Sequence, residues 1–247
     1  MNRNRHDGGV EPESRKLPLQ NLALPAEGEV HLWFLDLVKL GSPLQADAKI
    51  DPAAFPERMQ RTLRRFYLRL LLGAYLDLPG KDVHVSRAIR GKPLLDRSRH
   101  EPLLDFSTAA SHGCCLVGVS SQGLIGVDLE PGGRQAGRPL ALARRYFSTA
   151  EADAFGGMED AQLDEAFLRA WACKEAVVKA AGHGIANRLC RFTVETQLRE
   201  PPRILTMEDD DPDAWRLEVF TLRSGHLGAV ALRHPRLVLR HFSLVTR

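Results

Sequence analysis

Lysine is scarce in this chain. Of 34 Lys and Arg residues only seven are Lys, and the other 27 are Arg. Long apolar runs are missing too. The stretch from Met1 to Glu29 is polar with scattered Arg and Pro, so it reads neither as a signal peptide nor as a membrane span. Charge of one sign is also lacking. The 34 basic residues face 31 acidic ones, a net charge of +3, too balanced to argue for a nucleic-acid binder. Cysteine is sparse: Cys114, Cys115, Cys173 and Cys190 form no CxxC pair and no spaced framework. That speaks against a disulfide scaffold, and His112 near Cys114 lacks the second ligand pair of a zinc site. These absences leave a soluble cytoplasmic protein with a disordered leader over residues 1–28.

What is present is an ordinary globular composition. The chain has 247 residues, 44% hydrophobic and 26% charged, enough to bury a core without staples. In an arginine-rich chain the retained lysines draw attention, because the two cations are not interchangeable at a phosphate.

Residues 30–38 read as a strand. Pro56 opens a helix running to about Leu76, with Leu63, Phe66, Tyr67, Leu70 and Leu71 at helical spacing. Residues 83–88 alternate like a strand, and Gly91-Lys92-Pro93 reads as a turn. Residues 115–120 and 124–130 are two further strands, and Ser121-Gln122-Gly123 between them signals a hairpin. Residues 140–146 are helical, and Ser148 and Glu151 have capping-box spacing for another helix. The longest periodic segment covers 161–181 and is closed by Gly182. Residues 192–196, 215–222, 227–232 and 237–242 are strand-like, and the acidic run 208–213 reads as a solvated hairpin loop. This order predicts an α+β fold with mostly antiparallel sheets.

Three groups of residues could carry chemistry. Asp128 and Glu130 are two apart in Gly126-Val127-Asp128-Leu129-Glu130 and so share a strand face. Paired carboxylates are comfortable in water or around a cation, and hard oxygen ligands suit Mg²⁺ or Mn²⁺. A solvated strand end has the same spacing. Trp171, Lys174, Glu175 and Val178 fall on one helix face, and Glu175 and Lys179 form an i,i+4 pair. A surface ion pair worth about 0.3–0.5 kcal/mol is the plain alternative. However, Ala176, Val177, Ala180 and Ala181 make this helix apolar, and charges on a buried helix need a reason. Lastly, Lys92 on its turn, Ser111-His112, and Arg61-Thr62 at a helix start are phosphate-partner types. Each also fits a structural His or an exposed turn or helix face.

In this order and wording the segments resemble the 4′-phosphopantetheinyl transferases of the surfactin-synthetase-activating type. That family has a Gly-hydrophobic-Asp-hydrophobic-Glu strand, followed later by Trp-x-x-Lys-Glu-(Ala/Ser)-x-x-Lys. Here these are GVDLE at 126–130 and WACKEAVVK at 171–179. Residues 145–151 (RYFSTAE) are similar to the family's Arg-Phe-Phe-Ser-x-x-Glu, and Gly182-His183-Gly184-Ile185 to its Gly-x-Gly-Leu. Gly91-Lys92-Pro93 and Ser111-His112 match two coenzyme A-binding segments. The likeness spans roughly residues 30–240. It departs at 106–112, which is two residues longer than the family's Phe-Asn-hydrophobic-Ser-His and lacks the Asn. The basic cluster before the first helix is sparse, with Lys49 its one candidate.

The resemblance implies two similar α/β halves related by pseudo-twofold symmetry, each with a long helix on a mostly antiparallel sheet. Residues 29–124 would carry the coenzyme A-binding segments, and 125–247 the metal and catalytic motifs. It implies Mg²⁺-dependent transfer, with Mn²⁺ as the alternative, of the phosphopantetheine arm of coenzyme A. The acceptor would be a serine of an apo acyl, peptidyl or aryl carrier protein, and adenosine 3′,5′-bisphosphate would be released. Asp128, Glu130 and Glu175 are the implied metal ligands. Lys174 and Lys179 are the implied cations at the donor phosphates. Glu175, or a water held by Glu130, is the implied base. Arg61, Thr62, Lys92, Ser111 and a protonated His112 would hold the adenosine and 3′-phosphate end, with Glu151 near the metal or steadying the site. Carrier docking is expected around Arg144-Arg145-Tyr146-Phe147, on a monomer with no nucleic-acid or membrane partner. The competing readings are a non-catalytic coenzyme A or carrier-binding module and a Mg²⁺-dependent nucleotide-diphosphate hydrolase.

Overall fold

The computed structural model describes residues 9–41, 56–87, 92–101, 104–182 and 189–246. Lys49, Gly91, His183, Gly184 and Ile185 lie outside the described residues. The elements in chain order are β1 (Glu13–Lys16), β2 (Glu29–Asp36), α1 (Leu37–Gly41), α2 (Glu57–Leu76), β3 (Val85–Arg87), β4 (Pro93–Leu95), β5 (Asp105–Ser111), β6 (Cys114–Ser120) and β7 (Ile125–Glu130). Then follow α3 (Pro139–Tyr146), α4 (Thr149–Gly156), α5 (Asp160–Ala180), β8 (Phe192–Val194), β9 (Ile204–Met207), β10 (Trp215–Thr221), β11 (Leu227–Arg233) and β12 (Val238–Val245). No helix among the described residues is long and apolar enough to cross a membrane.

The fold is α+β. One sheet has the order β1-β12-β2-β6-β5 and the other β10-β11-β7, with β3–β4 and β8–β9 as separate ribbons. Pairing is antiparallel except for β1–β12 and β12–β2, which are parallel. One order of elements recurs: a strand, a long helix, a ribbon, then two strands of which the second returns beside the first. It is β2, α2, β3–β4, β5, β6, and again β7, α5, β8–β9, β10, β11.

Strand alternation sets the layers. Trp33 and Leu35 of β2 pack with Tyr67, Leu71 and Leu72 of α2. Val30 and Leu32 point the other way and meet Ile125, Val127 and Leu129 of β7. The two sheets therefore face each other, with α2 and α5 on their outer faces. Cys114 belongs to the layer between the sheets and Cys115 to the layer under α2. On β7 the remaining residues, Gly126, Asp128 and Glu130, turn toward α5. A Cβ on Gly126 would overlap the Ala176 carbonyl oxygen, so only glycine lets this strand lie so close to the helix. The capping box at α4 is present: Ser148 Oγ accepts from Glu151 N–H (3.3 Å), and Ser148 N–H donates to Glu151 Oε2 (2.9 Å).

Four expectations are corrected, and one strand, β5, carries no clear sequence signal. Within the leader, residues 9–28 are ordered: β1 pairs with β12, and Leu17, Leu19 and Leu22 pack on the α2 core. Three closely spaced leucines give this polar segment an apolar edge to bury. Ser121-Gln122-Gly123 is not a hairpin. Both edges of β6 are already taken by β2 and β5, so the chain crosses to the other sheet and β7 pairs with β11. Residues 105–111 form β5 and turn back at His112 and Gly113, whose φ values are +43° and +78°. The small side chains of Ser107 and Ala109 gave this strand no apolar alternation to read. The acidic run is not a hairpin loop: β9 pairs with β8, and Asp210 accepts from Arg233 (2.7 and 2.8 Å) and from Trp215 Nε1 (3.0 Å). Finally, β12 lies in the first sheet between β1 and β2, so residues 125–247 do not form a self-contained half.

The β7–α5 seam gives a direct test. Gly126→Ala overpacks it, at a cost of about 1–3 kcal/mol, and should lower Tm by roughly 3–10 °C. An unchanged Tm would show that the seam has room for a methyl group.

Candidate active site

An open cleft of about 570 Å³ lies where β7 ends beside α5 and the β5–β6 turn. Ser111 and His112 line it from the turn, Asp128 and Glu130 from β7, and Glu175 and Lys179 from α5. The loop Pro131-Gly132-Gly133-Arg134 completes the wall. The GVDLE strand and the latter part of the WACKEAVVK helix thus meet at one surface, through the Gly126 contact.

Lys179 sits between two carboxylates. Its Nζ is 2.6 Å from Asp128 Oδ1 and 3.3 Å from Glu175 Oε2. The Arg134 guanidinium donates to Glu130 Oε2. Asp128 and Glu130 are both buried. Burial, and then the charge of Asp128, push the Glu175 carboxyl above the usual carboxylate range. Burial does the same to Glu130 against the opposing pull of Arg134. Burial disfavours the Lys179 ammonium, but Asp128 and Glu175 outweigh it and hold the group above its ordinary value.

Does this site suit a divalent cation? Among the described residues no three His, Cys, Asp or Glu side chains converge into a ready set of ligands. Yet Asp128 Oδ2 is buried with no hydrogen-bond partner, a state that costs free energy. Three carboxylates face two cations, Lys179 and Arg134, in the cleft, which leaves one negative charge uncompensated. An unpaired buried oxygen among hard oxygen donors fits Mg²⁺ or Mn²⁺. A divalent ion there would turn the local balance positive by one.

Several expected site residues lie elsewhere. Lys174 is fully buried and does not line the cleft. Its Nζ is 2.9 Å from Glu151 Oε2 and donates to the carbonyls of Leu189 (2.7 Å) and Phe192. Its side chain leaves α5 toward α4 and β8, a rotation of about 100° from Glu175, so the expected contact of Lys174 with a donor phosphate does not stand. Glu151 is its core partner, and it also accepts from Val194 N–H (2.8 Å). Lys92 is bonded to Asp105 Oδ2 (2.8 Å) and the Ile125 carbonyl (3.0 Å), outside the cleft wall. Arg61 and Thr62 are exposed on α2, bonded to Glu57 (2.8 Å) and the Arg58 carbonyl (3.0 Å), and neither lines the cleft. Trp171 packs on Phe147 and Phe167 with ring centroids 5.9 and 5.7 Å apart. Phe147 is therefore core, whereas Arg144, Arg145 and Tyr146 are exposed.

Sequence reasoning missed Arg134. The signal was present, since a Pro-Gly-Gly turn after Glu130 folds the next residue back beside that carboxylate.

The fold and cleft define a class: an α+β protein with an acid-lined cleft where β7, α5 and the β5–β6 turn meet. The model of the 4′-phosphopantetheinyl transferase superfamily matches residues 124–231. The chain is 34% identical over 222 residues to 4′-phosphopantetheinyl transferase HetI of Nostoc sp., covering 86% of this chain and 90% of that protein. It is 32% identical over 166 residues to the putative 4′-phosphopantetheinyl transferase slr0495 of Synechocystis sp., covering 66% and 65%. The human L-aminoadipate-semialdehyde dehydrogenase-phosphopantetheinyl transferase is 26% identical over 187 residues, covering 69% and 60%. The chain belongs to the 4′-phosphopantetheinyl transferase superfamily.

The buried ion pair predicts a separable effect. Lys174→Met strands the Glu151 carboxylate and should cost about 3–5 kcal/mol in urea unfolding. The double variant Lys174→Met/Glu151→Gln should recover part of that loss. Equal stability of single variant and wild type would show the pair is not holding the core.

Proposed function

We propose that this protein transfers the 4′-phosphopantetheine arm of coenzyme A to a serine of an apo acyl, peptidyl or aryl carrier protein. Mg²⁺ is the metal of choice, and adenosine 3′,5′-bisphosphate is the second product. The observation that carries this reading is the cleft itself, where Asp128, Glu130, Glu175 and Lys179 meet Ser111 and His112.

In the reaction the carrier serine oxygen bonds to the phosphorus that bears the pantetheine. The bond from that phosphorus to the bridging oxygen breaks, and the bridging oxygen leaves with adenosine 3′,5′-bisphosphate. The serine proton must go to a base. Catalysis here is mainly positioning and charge neutralisation. Asp128, Glu130 and Glu175 are the residues that would hold Mg²⁺, which when bound neutralises diphosphate charge. Lys179 and Arg134 are at hand to pair with phosphate oxygens once the donor displaces them from Asp128 and Glu130. Glu175, or a water held by Glu130, is the candidate base for that proton. We assign Ser111 and His112 to the 3′-phosphate end of the donor as hydrogen-bonding partners.

The carrier is proposed to dock beside α3, where Arg144 and Arg145 are exposed and the Arg145 guanidinium lies over the Tyr146 ring at 5.1 Å. Charge complementarity to an acidic carrier helix supports this placement. The repeated element order supports two halves related by a pseudo-twofold axis. We further read the protein as a cytoplasmic monomer of the surfactin-synthetase-activating type.

Incubation with apo carrier, coenzyme A and Mg²⁺ should give the carrier a phosphopantetheine-sized mass gain. No gain on any of several carriers would falsify the transferase reading, and adenosine bisphosphate released without carrier would identify a hydrolase instead. Asp128→Ala should lower kcat/KM at least about a hundredfold, since the lost charge stabilisation is worth several kcal/mol. Its Tm should stay near that of the wild type.

A further inference from the structure

Arg134 and Lys179 line the cleft as its two permanent cations, and they are held differently. Lys179 lies between Asp128 Oδ1 (2.6 Å) and Glu175 Oε2 (3.3 Å). Arg134 has one carboxylate partner, Glu130, to whose Oε2 its guanidinium donates. The two members of that pair differ in freedom. The Arg134 side chain is 46% exposed and that of Glu130 only 9%, so the guanidinium is the member that can leave.

The backbone under Arg134 is tied on both sides. Before it, Gly132 packs on the turn that joins β10 to β11, where a Cβ would overlap the Gly225 carbonyl oxygen. The Arg134 N–H itself donates to the Pro131 carbonyl (3.3 Å). After it, the Ala136 N–H donates to Asp164 Oδ1 of α5 (3.2 Å). Departure from Glu130 therefore needs side-chain rotation alone, which a long exposed side chain performs among its staggered rotamers.

The carboxylates differ too. Asp128 can offer its unpaired Oδ2 to a cation while Oδ1 stays with Lys179. On Glu130 the Oε2 atom is taken by Arg134. A divalent ion and a guanidinium on this one carboxylate repel each other and compete for it. A displaced guanidinium needs another anion, and its planar fork fits a phosphate as well as a carboxylate.

We infer that Arg134 exchanges partners, from Glu130 to a phosphate oxygen of the donor, and that this exchange couples metal binding to donor binding. Glu130 is freed for the cation as Arg134 is taken up by the anion, so each ligand strengthens the other beyond their direct attraction. This rests on the transferase reading and adds to it a device that makes the cleft weak for either ligand alone.

The test measures binding without a carrier. Mn²⁺ is followed by loss of the free-ion EPR signal, and coenzyme A by calorimetry. In the wild type each ligand should tighten the other by one common factor. Arg134→Gln should bind Mn²⁺ alone about fivefold more tightly, since the competing cation is gone. With coenzyme A bound its Mn²⁺ affinity should change little, so the common factor should fall about fivefold. Arg134→Lys keeps a cation that can change partners and should restore part of the factor. Arg134 is exposed on a loop, so Tm should stay within about 2 °C of wild type. A fixed neighbouring charge would tighten Mn²⁺, weaken coenzyme A and leave the factor unchanged. That result overturns the inference, as does a Mn²⁺ affinity that Arg134→Gln leaves unchanged or lowers. A wild type that binds Mn²⁺ but not coenzyme A overturns the transferase reading instead. The affinities for Mn²⁺ alone then still decide whether Arg134 competes with the ion for Glu130.

Discussion

The approach of β7 to α5 through Gly126 is the constraint on which the rest depends. Any side chain at that position would push the strand off the helix. With glycine there, the strand lies against Ala176 and Ala180, and the next residues on the same face, Asp128 and Glu130, come up beside Glu175 and Lys179. Strand period and helix period are matched at this one contact, so two motifs separated by some forty residues become one surface. The other β7 face is committed to the opposite sheet, which fixes the strand from behind. An apolar strand and an apolar helix thus hold a charged cluster at their rim.

Much of this was legible in the sequence. The capping box at Ser148, the long helix ending near Gly182 and the shared face of Asp128 and Glu130 are local features, set by spacing alone. What could not be read was which edges were free. The turn residues at 121–123 look like those of a hairpin, and only the occupancy of both edges of β6 rules that out. The same limit applies to Lys174 and Glu175. Helical spacing groups them, but neighbours on a helix diverge by about 100°. Whether one faces core and the other solvent depends on α4 and β8, which come from elsewhere in the chain. Lys92 is limited in the same way: its partner Asp105 lies in β5, and the fold alone brings the two together.

The scarcity of lysine takes on a different meaning in the folded protein. Lys92, Lys174 and Lys179 each meet a carboxylate inside the structure: Asp105, Glu151 and Asp128. Two of them also bond main-chain carbonyls. An ammonium offers three donors from one small centre and can serve a carboxylate and two carbonyls pointing from different directions. A planar guanidinium cannot do so in the same volume. Arginine serves on the surface, as at Arg191, Arg223 and Arg233, where flat, forked contacts with carboxylates are enough. Of the three lysines, Lys179 alone is placed to exchange its partner for a ligand.

The insertion of β12 between β1 and β2 bears on how the chain reaches this state. During synthesis β1 and β2 leave the ribosome early, yet they share no hydrogen bonds with each other. Their common partner, β12, is made after the whole second sheet and α5. The first sheet must wait with an open edge on β2, and β1 waits for its partner, until β12 arrives. Closure of that sheet is thus a long-range event in which β12 locks two strands made well before it. Any change that hinders β12 would act first on the sheet under α2, far in sequence from the change itself.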